Sequence, residues 1–171
     1  MSRISLMLKA AVAAGVLCAA AVPAQAQSSS ITSEQAMAAL RAVQAYAKND
    51  GSDPSLTVLD RDGNVVLMLK GNGAAPHNIG LSLRKAQTAN LFKMKSIDWR
   101  DKTMPGKPDA DQRNTPNAIP LGGGVPIMVG NEIIGAVGVS GTRGGQEGDT
   151  AGAQAGADAA AAMVKRLQAS N

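Results

Sequence analysis

The stretch Leu121–Gly141, LGGGVPIMVGNEIIGAVGVSG, decides the predicted fold. Two apolar runs rich in Val and Ile, Val125–Val129 and Glu132–Val139, flank the turn pair Gly130-Asn131. Glycine adopts the positive φ that a tight hairpin turn requires. Because the runs are nearly continuously apolar rather than alternating, we predict a β-hairpin of two central strands covered on both faces. The glycines at its ends would allow the backbone to approach a ligand closely.

A second hairpin is predicted earlier in the chain. Ser55–Asp60 and Val65–Lys70 are rich in β-forming residues, and the turn between them contains Asp62-Gly63. An Asp-Gly pair between two such runs is typical of a hairpin turn. The sequence therefore predicts four strands.

The first and last helices are marked by capping residues. Thr32 and Gln35 form a capping-box pattern in front of an amphipathic run to about Asn49, and Gly51 can stop that helix in the left-handed conformation. Asp149 is predicted to cap an alanine-rich helix that ends near Gln168. Its predicted packing residues are Ala153, Gly156, Ala160, Val164 and Leu167.

A middle helix is predicted from His77 to about Lys95. Its apolar residues do not fall on one stripe, so we expect either burial on more than one side or cover from a second subunit. These residues are Ile79, Leu81, Leu83, Ala86, Ala89, Leu91 and Phe92.

The segment Asp98–Pro120 carries four prolines, several charges and no periodicity. We predict an irregular loop, and a loop of this length is usually a lid, a binding loop or a subunit contact. The element order helix, hairpin, helix, loop, hairpin, helix predicts an α+β fold with a central antiparallel sheet flanked by helices.

Residues 1–26 are predicted to be a cleaved signal peptide. Arg3 and Lys9 precede an apolar run from Ala10 to Val22, and Ala24-Gln25-Ala26 is a small-residue cleavage site. Residues 27–31 are predicted to be a flexible leader and 32–171 a single domain. We therefore expect a periplasmic or secreted bacterial protein, with no membrane span in the mature chain.

Composition excludes several classes of function. The one cysteine lies in the predicted signal peptide, so the mature chain has no disulfide, thiol nucleophile or cysteine metal ligand. The whole chain has a net charge of +4. The signal peptide holds two basic residues and no acidic ones, which leaves the mature chain at about +2. Few aromatic residues and no basic run argue against nucleic-acid binding.

His77 is the single histidine. One imidazole without cysteine does not make a zinc site unless carboxylates supply the other ligands. A Ser-His-Asp triad is formally possible, but no nucleophile motif accompanies the histidine. A haem or corrinoid needs only one protein ligand on its metal. His77 is therefore a candidate metal ligand, and a surface or helix-capping histidine is the alternative.

Cationic side chains that could pair with ligand carboxylates are Arg84, Lys85 and Arg143, although such side chains are often simply solvated. The glycine-rich turn around Arg143 leads into a helix N-terminus, where backbone N–H groups could hold an anion. Met68 and Met128, within strands, are predicted to fill the core rather than to bind haem iron, and the role of Met104 is open.

Several motifs together resemble the GlcG/HbpS/PduO C-terminal family. They are the hairpin segments Leu121–Ile127 and Ile134–Gly141, the first-hairpin segments Thr57–Asp60 and Gly63–Val66, the helix segment Lys85–Ala89, and Asp149, Ala153 and Gly156. The resemblance runs from about Ser33 to Leu167. The chain departs from it at Gly73–Asn78, where many members have small polar residues and an acid.

The resemblance implies an α/β sandwich that assembles into homo-oligomers and binds haem or, in some members, a corrinoid. It also implies contact with cell-envelope sensing or transport proteins. We therefore predict an exported haem-binding carrier or sensor accessory without catalytic residues, with His77 as axial ligand. Arg84, Lys85 and Arg143 are expected near the propionates, and Gly122, Gly123 and Gly124 where the backbone approaches the ligand. The alternatives are a small-molecule or haem-degrading enzyme using the same pocket, and an oligomeric scaffold that binds its partner through the long loop.

Overall fold

The computed structural model describes residues 30–169, so the predicted signal peptide and most of the leader lie outside the described residues. Four antiparallel strands form one sheet in the order β2-β1-β4-β3. The helices are α1 (Ser33–Asp50), α2 (Asn78–Phe92), α3 (Ser96–Lys102) and α4 (Gly145–Ala169), and the strands are β1 (Ser55–Asp60), β2 (Val65–Leu69), β3 (Gly124–Val129) and β4 (Glu132–Ser140). The predicted fold class is confirmed. Within residues 30–169, no helix is both long and apolar enough to cross a membrane.

The predicted central hairpin is present as β3 and β4, with Gly130 at φ 62° in its turn. β4 lies inside the sheet between β1 and β3, as predicted. β3, however, is an edge strand, so the prediction that both strands are central is wrong for β3. Val125 and Ile127 face the core, which explains the apolar sequence of β3. Pro126 lacks a backbone N–H donor and is therefore suited to an edge strand.

Helices cover both faces of the sheet. Val137 and Val139 of β4 belong to the apolar core shared with α1 and α4. Gly138, between them, faces α2, because a Cβ there would lie 2.0 Å from the carbonyl oxygen of Ser82. The strand alternation therefore sends Val137 and Val139 to one helical layer and Gly138 to the other.

Local signals fix α1 and the first hairpin. The predicted capping box at Thr32 and the left-handed cap at Gly51, with φ 69°, are both present. In the turn between β1 and β2, Asp60 Oδ1 accepts hydrogen bonds from the backbone N–H groups of Asp62 and Asn64. Burial raises the pKa of Asp60, but the hydrogen bonds from Asn64, Asp62 and Gly63 together outweigh burial and lower it below its ordinary value.

α2 is shorter than predicted, since Lys93 ends it in the left-handed conformation at φ 55°. Its buried side carries small and polar side chains: Ser82, Lys85, Ala86, Thr88 and Ala89. Within one chain the helix is therefore buried on one side only, and Leu91 is exposed. Burial on more than one side is wrong for the single chain, and cover by a second subunit stays a prediction.

The segment predicted to be an irregular loop contains two helices. α3 and a short 3-10 helix (Ala110–Asn114) occupy parts of it. Trp99 in α3 is 1% exposed and stacks on Phe92 with ring centroids 4.7 Å apart. A single buried tryptophan, rather than a series of regularly spaced apolar residues, holds this charged, proline-containing segment against the fold. The segment therefore shows no periodic apolar pattern in the sequence.

α4 begins at Gly145, one turn before the predicted cap, so the prediction that Asp149 is the N-cap is wrong. The carboxylate of Asp149 turns back toward the preceding loop instead. The predicted packing face is confirmed for Ala153, Gly156, Ala160 and Val164, whereas Leu167 is exposed.

Candidate ligand site

The sheet topology brings most of the predicted site residues to one end of the molecule. Here β1 and β3 begin and β4 ends, because Ser55 pairs with Ser140 and Gly124 with Gly138. The helices α2 and α4 also begin at this end. We call this the His77 end, comprising residues 51–54, 71–78, 122–124 and 140–145. It contains His77, the triple glycine and Arg143.

His77 is exposed and stands directly before the first residue of α2. Its backbone carbonyl accepts a hydrogen bond from Leu81 N–H at 3.0 Å, while its side chain makes no capping hydrogen bond. Among the described residues, no hydroxyl or carboxylate is hydrogen-bonded or ion-paired to the imidazole. The formally possible Ser-His-Asp triad is therefore not formed, and the ring is free to bind a ligand.

Arg84 lies on the same exposed face of α2 as His77. Arg84 is seven positions after His77, which places it two turns away, roughly 10 Å along the helix axis. One guanidinium N–H donates to the carbonyl of Ala118 at 2.6 Å, and four N–H donors remain in the fork. Gly80 lies between the two residues, and a Cβ built there would meet nothing within 4 Å. His77, Gly80 and Arg84 thus form an open polar stripe.

Lys85, the next residue, occupies a different environment. It is 2% exposed, and its ammonium donates to Asp149 Oδ2 at 2.6 Å and to the Val139 carbonyl at 3.1 Å. Asp149 is 5% exposed. This buried ion pair joins α2, β4 and α4. A ligand carboxylate could reach Lys85 only by displacing Asp149.

The predicted anion cradle in the glycine-rich turn is filled by the chain's own carboxylates. Asp149 Oδ1 accepts hydrogen bonds from the N–H groups of Gly141 and Thr142 and from the Thr142 hydroxyl. Asp50 Oδ2 accepts one from the N–H of Arg143 at 3.3 Å. The Arg143 side chain itself is exposed, with Cζ 3.4 Å from where a Cβ on Gly51 would lie.

The triple glycine packs against protein rather than open space. A Cβ on Gly124 would lie 1.9 Å from the carbonyl oxygen of Lys85, and one on Gly123 would lie 2.5 Å from that of Val139. The N–H of Gly122 donates to Gln146 Oε1 at 2.7 Å. In this structure the glycines therefore allow α2 and the start of α4 to approach the sheet closely.

The methionines depart from expectation. Met68 and Met128 are 39% and 40% exposed, so the prediction that they fill the core is wrong. Both lie on edge strands, where only part of the side chain is covered. Met104 is exposed, and Arg113 contacts its sulfur at 3.7 Å.

Sequence reasoning missed the Lys85–Asp149 pair. The signal that could have revealed the pair is a lysine among small residues on a helix that packs against glycines. Such a lysine is buried, and a buried ammonium group needs a carboxylate partner. No group of three or more His, Cys, Asp or Glu side chains within residues 30–169 could hold a metal ion. The His77 end can thus offer a metal one imidazole, with exposed guanidinium groups nearby.

Comparison with known proteins agrees with the predicted resemblance. A family model whose description is "Haem degrading protein HbpS-like" matches residues 31–158. Protein GlcG of Escherichia coli K12 is 31% identical over 110 residues, which are 64% of this chain and 81% of GlcG. Klebsiella pneumoniae protein ORFY has a TM-score of 0.74 at 28% identity, covering 92% of this chain and 99% of ORFY. A crystal structure of HbpS has a TM-score of 0.71 at 30% identity, covering 77% and 91%.

Proposed function

This chain belongs to the HbpS-like family, and we propose that it binds haem at the His77 end, with the imidazole of His77 as the axial ligand. The observation that carries this function is the exposure of the only histidine, whose ring has no partner among the described residues. A neutral imidazole nitrogen is a common axial ligand of haem iron.

Residues at the His77 end and on the neighbouring turns of α2 suit a flat dianionic ligand. Gly80 leaves the surface open one turn beyond His77, and Arg84 follows at two turns. Arg84 and Arg143 are exposed guanidinium groups, which match carboxylates in a bidentate geometry. We assign the propionates to these two arginines. Lys85 and Gly122–Gly124 keep a supporting role, because they hold α2 and α4 against the sheet.

Bound haem would supply the iron chemistry, while the chain supplies binding and orientation. His77 would hold the haem iron at the start of α2, and Arg84 would orient the haem along that helix. The open stripe covers only one side of a ligand. We therefore propose that a second copy of the chain covers the other side, and that the protein is an exported carrier or sensor accessory. A corrinoid is the alternative ligand of the same imidazole.

Hemin titration of a protein without a histidine tag tests this function. Wild type should give a shifted, saturable Soret band, and His77→Ala should weaken hemin binding roughly tenfold or more, equivalent to about 1.4 kcal/mol. Because the chain has one histidine, added free imidazole should restore the band of His77→Gly. Lys107→Ala, at an exposed site elsewhere, is the control. Identical spectra for wild type and His77→Ala would rule out the assignment.

A second candidate function is haem degradation, which the description of the family favours. The two functions differ in the fate of the bound chromophore. A carrier keeps its Soret band when ascorbate or hydrogen peroxide is added, apart from the loss seen for free hemin. A degrading enzyme bleaches the band faster than free hemin, and with His77→Ala the bleaching slows to the rate of free hemin.

A further inference from the structure

A groove opens at the end of the molecule opposite His77. It has a volume of about 500 Å³, within the range of small-molecule pockets. Three element ends meet there: the β1–β2 turn, the β3–β4 turn and the C-terminal end of α2. The lining residues are Arg61, Asp62, Asn90, Lys93, Met128, Asn131, Glu132 and Ile133.

Four charged side chains line this groove, two cations and two carboxylates. In the part of the chain that the structure describes, neither Arg61 nor Lys93 forms a salt bridge, and neither Asp62 nor Glu132 does. Elsewhere, Lys85, Arg100 and Lys102 each pair with a carboxylate. Two cations and two carboxylates at one groove are therefore available to a ligand that carries both signs of charge.

Asn90 offers a further polar contact. Its Nδ2 donates to the Arg61 carbonyl at 3.3 Å, but its buried Oδ1 has no hydrogen-bond partner among the described residues. Buried polar atoms normally have a partner, so an orphaned amide oxygen in a groove indicates a missing donor. A ligand N–H would supply it.

The groove continues past Asn90. A second depression of about 260 Å³ shares Asp62 and Asn90 with the first. It adds two carboxamides, Gln87 and Asn117, and the exposed side chain of Leu91. Together the two depressions offer four carboxamide side chains, each able to donate and accept hydrogen bonds as a peptide group does.

The backbone around the groove has a defined conformation. Asp60 holds the turn that presents Arg61 and Asp62 through hydrogen bonds of 2.9 and 2.8 Å to backbone N–H groups. Lys93 has φ 55°, an uncommon conformation for a residue with a side chain. The charged side chains of Arg61 and Asp62 thus project from a turn that Asp60 holds in place.

We propose that this groove binds a short peptide with free termini. Carboxylates Asp62 and Glu132 would pair with its ammonium group, Arg61 and Lys93 with its carboxylate, and the carboxamides with its peptide groups. Met128, Ile133 and Leu91 offer apolar contact to its side chains. A purely anionic ligand would meet two carboxylates, and a sugar would find no aromatic side chain among the lining residues.

Isothermal titration with Ala-Leu-Ala and with trialanine, at low and high salt, tests the groove. At least one peptide should bind saturably, and high salt should weaken that binding, because solvent-exposed charges are screened. Acetylating its N-terminus and amidating its C-terminus should reduce affinity about tenfold, as charge-assisted hydrogen bonds are lost. Lys93→Gln and Asp62→Asn should each lower affinity, whereas the exposed, matched Lys107→Gln and Asp98→Asn should not.

The proposal is overturned if neither free peptide binds, if the capped peptide binds equally well, or if the groove variants match their controls. The hemin spectrum should be unchanged in Lys93→Gln and Asp62→Asn, since both positions lie at the end opposite His77. Loss of hemin binding in these variants would contradict a separate site. Failure of peptide binding is thus distinguishable from failure of the haem function.

Discussion

At the scale of single residues, the buried ammonium of Lys85 joins three elements, α2, β4 and α4. We predict that Lys85→Met destabilises the protein by about 3 kcal/mol, because it leaves the Asp149 carboxylate buried without its cation. The three hydrogen bonds from Gly141 and Thr142 would remain but carry no positive charge. Urea unfolding followed by circular dichroism measures the change.

Two further variants separate the charge from the packing. Lys85→Met combined with Asp149→Asn should recover most of the lost stability, since the amide oxygen can still accept from the Gly141–Thr142 turn. Lys107→Met, at an exposed site, should change stability by less than about 0.5 kcal/mol. Equal stability of Lys85→Met and Lys107→Met would show that the ion pair contributes nothing.

The residue types of the site could be predicted from the sequence, but their partners could not. A single histidine and three cationic candidates are visible in the composition and spacing, and two of those cations, Arg84 and Arg143, are exposed. Lys85 finds its carboxylate 64 positions away, and only the folded chain brings the two together. Sequence spacing alone cannot distinguish a surface lysine from a buried one.

At the scale of secondary-structure elements, the close contact of α2 with β4 depends on glycine. We predict that Gly138→Ala destabilises the protein by about 2–3 kcal/mol, because the new Cβ would lie 2.0 Å from the Ser82 carbonyl oxygen and force α2 away from the sheet. Chemical denaturation at equilibrium measures the loss of stability.

Gly80→Ala in α2 is the matched control. Its Cβ would meet nothing within 4 Å, so alanine should stabilise the helix by about 0.5–1 kcal/mol. Opposite signs for the two substitutions are expected. If Gly138→Ala is tolerated as well as Gly80→Ala, the contact between α2 and β4 is not close-packed.

Local signals explain which elements were predictable. The Thr32 capping box, the Gly51 stop and the two hairpin turns act within a few residues, and all are present in the structure. The edge position of β3 is set by sheet order, which no local pattern encodes. The start of α4 was predicted wrongly because aspartate is a common N-cap residue, whereas the carboxylate of Asp149 forms an ion pair with Lys85.

At the scale of the whole molecule, the sheet order assembles the candidate site. His77, the triple glycine and Arg143 lie far apart in sequence and meet because β1 pairs with β4 and β4 with β3. Residue types and motifs therefore identified the candidates, whereas long-range strand pairing decides that they share one end. The same pairing places the charged groove at the other end, where the sequence predicted two hairpin turns but no binding residues.

The segment between α2 and β3 belongs to the folded unit rather than forming a detachable loop. Trp99 is the only tryptophan and is fully buried. Ser96 Oγ accepts from Gly124 N–H at 2.8 Å and donates to the Leu121 carbonyl at 2.7 Å, so α3 is fixed to the start of β3. A lid held only by its ends would lack both features.

We therefore predict that Trp99 fluorescence and far-ultraviolet circular dichroism report the same urea midpoint, as a two-state domain requires. Ser96→Ala removes both hydrogen bonds and leaves the Gly124 N–H buried and unpaired, which should cost about 1–3 kcal/mol. Because Ser96 connects α3 to the sheet, both probes should shift together in this variant. A fluorescence transition that precedes the dichroism transition in wild type would show that the segment unfolds on its own. It could then serve as a movable lid, as the proline-rich sequence first indicated.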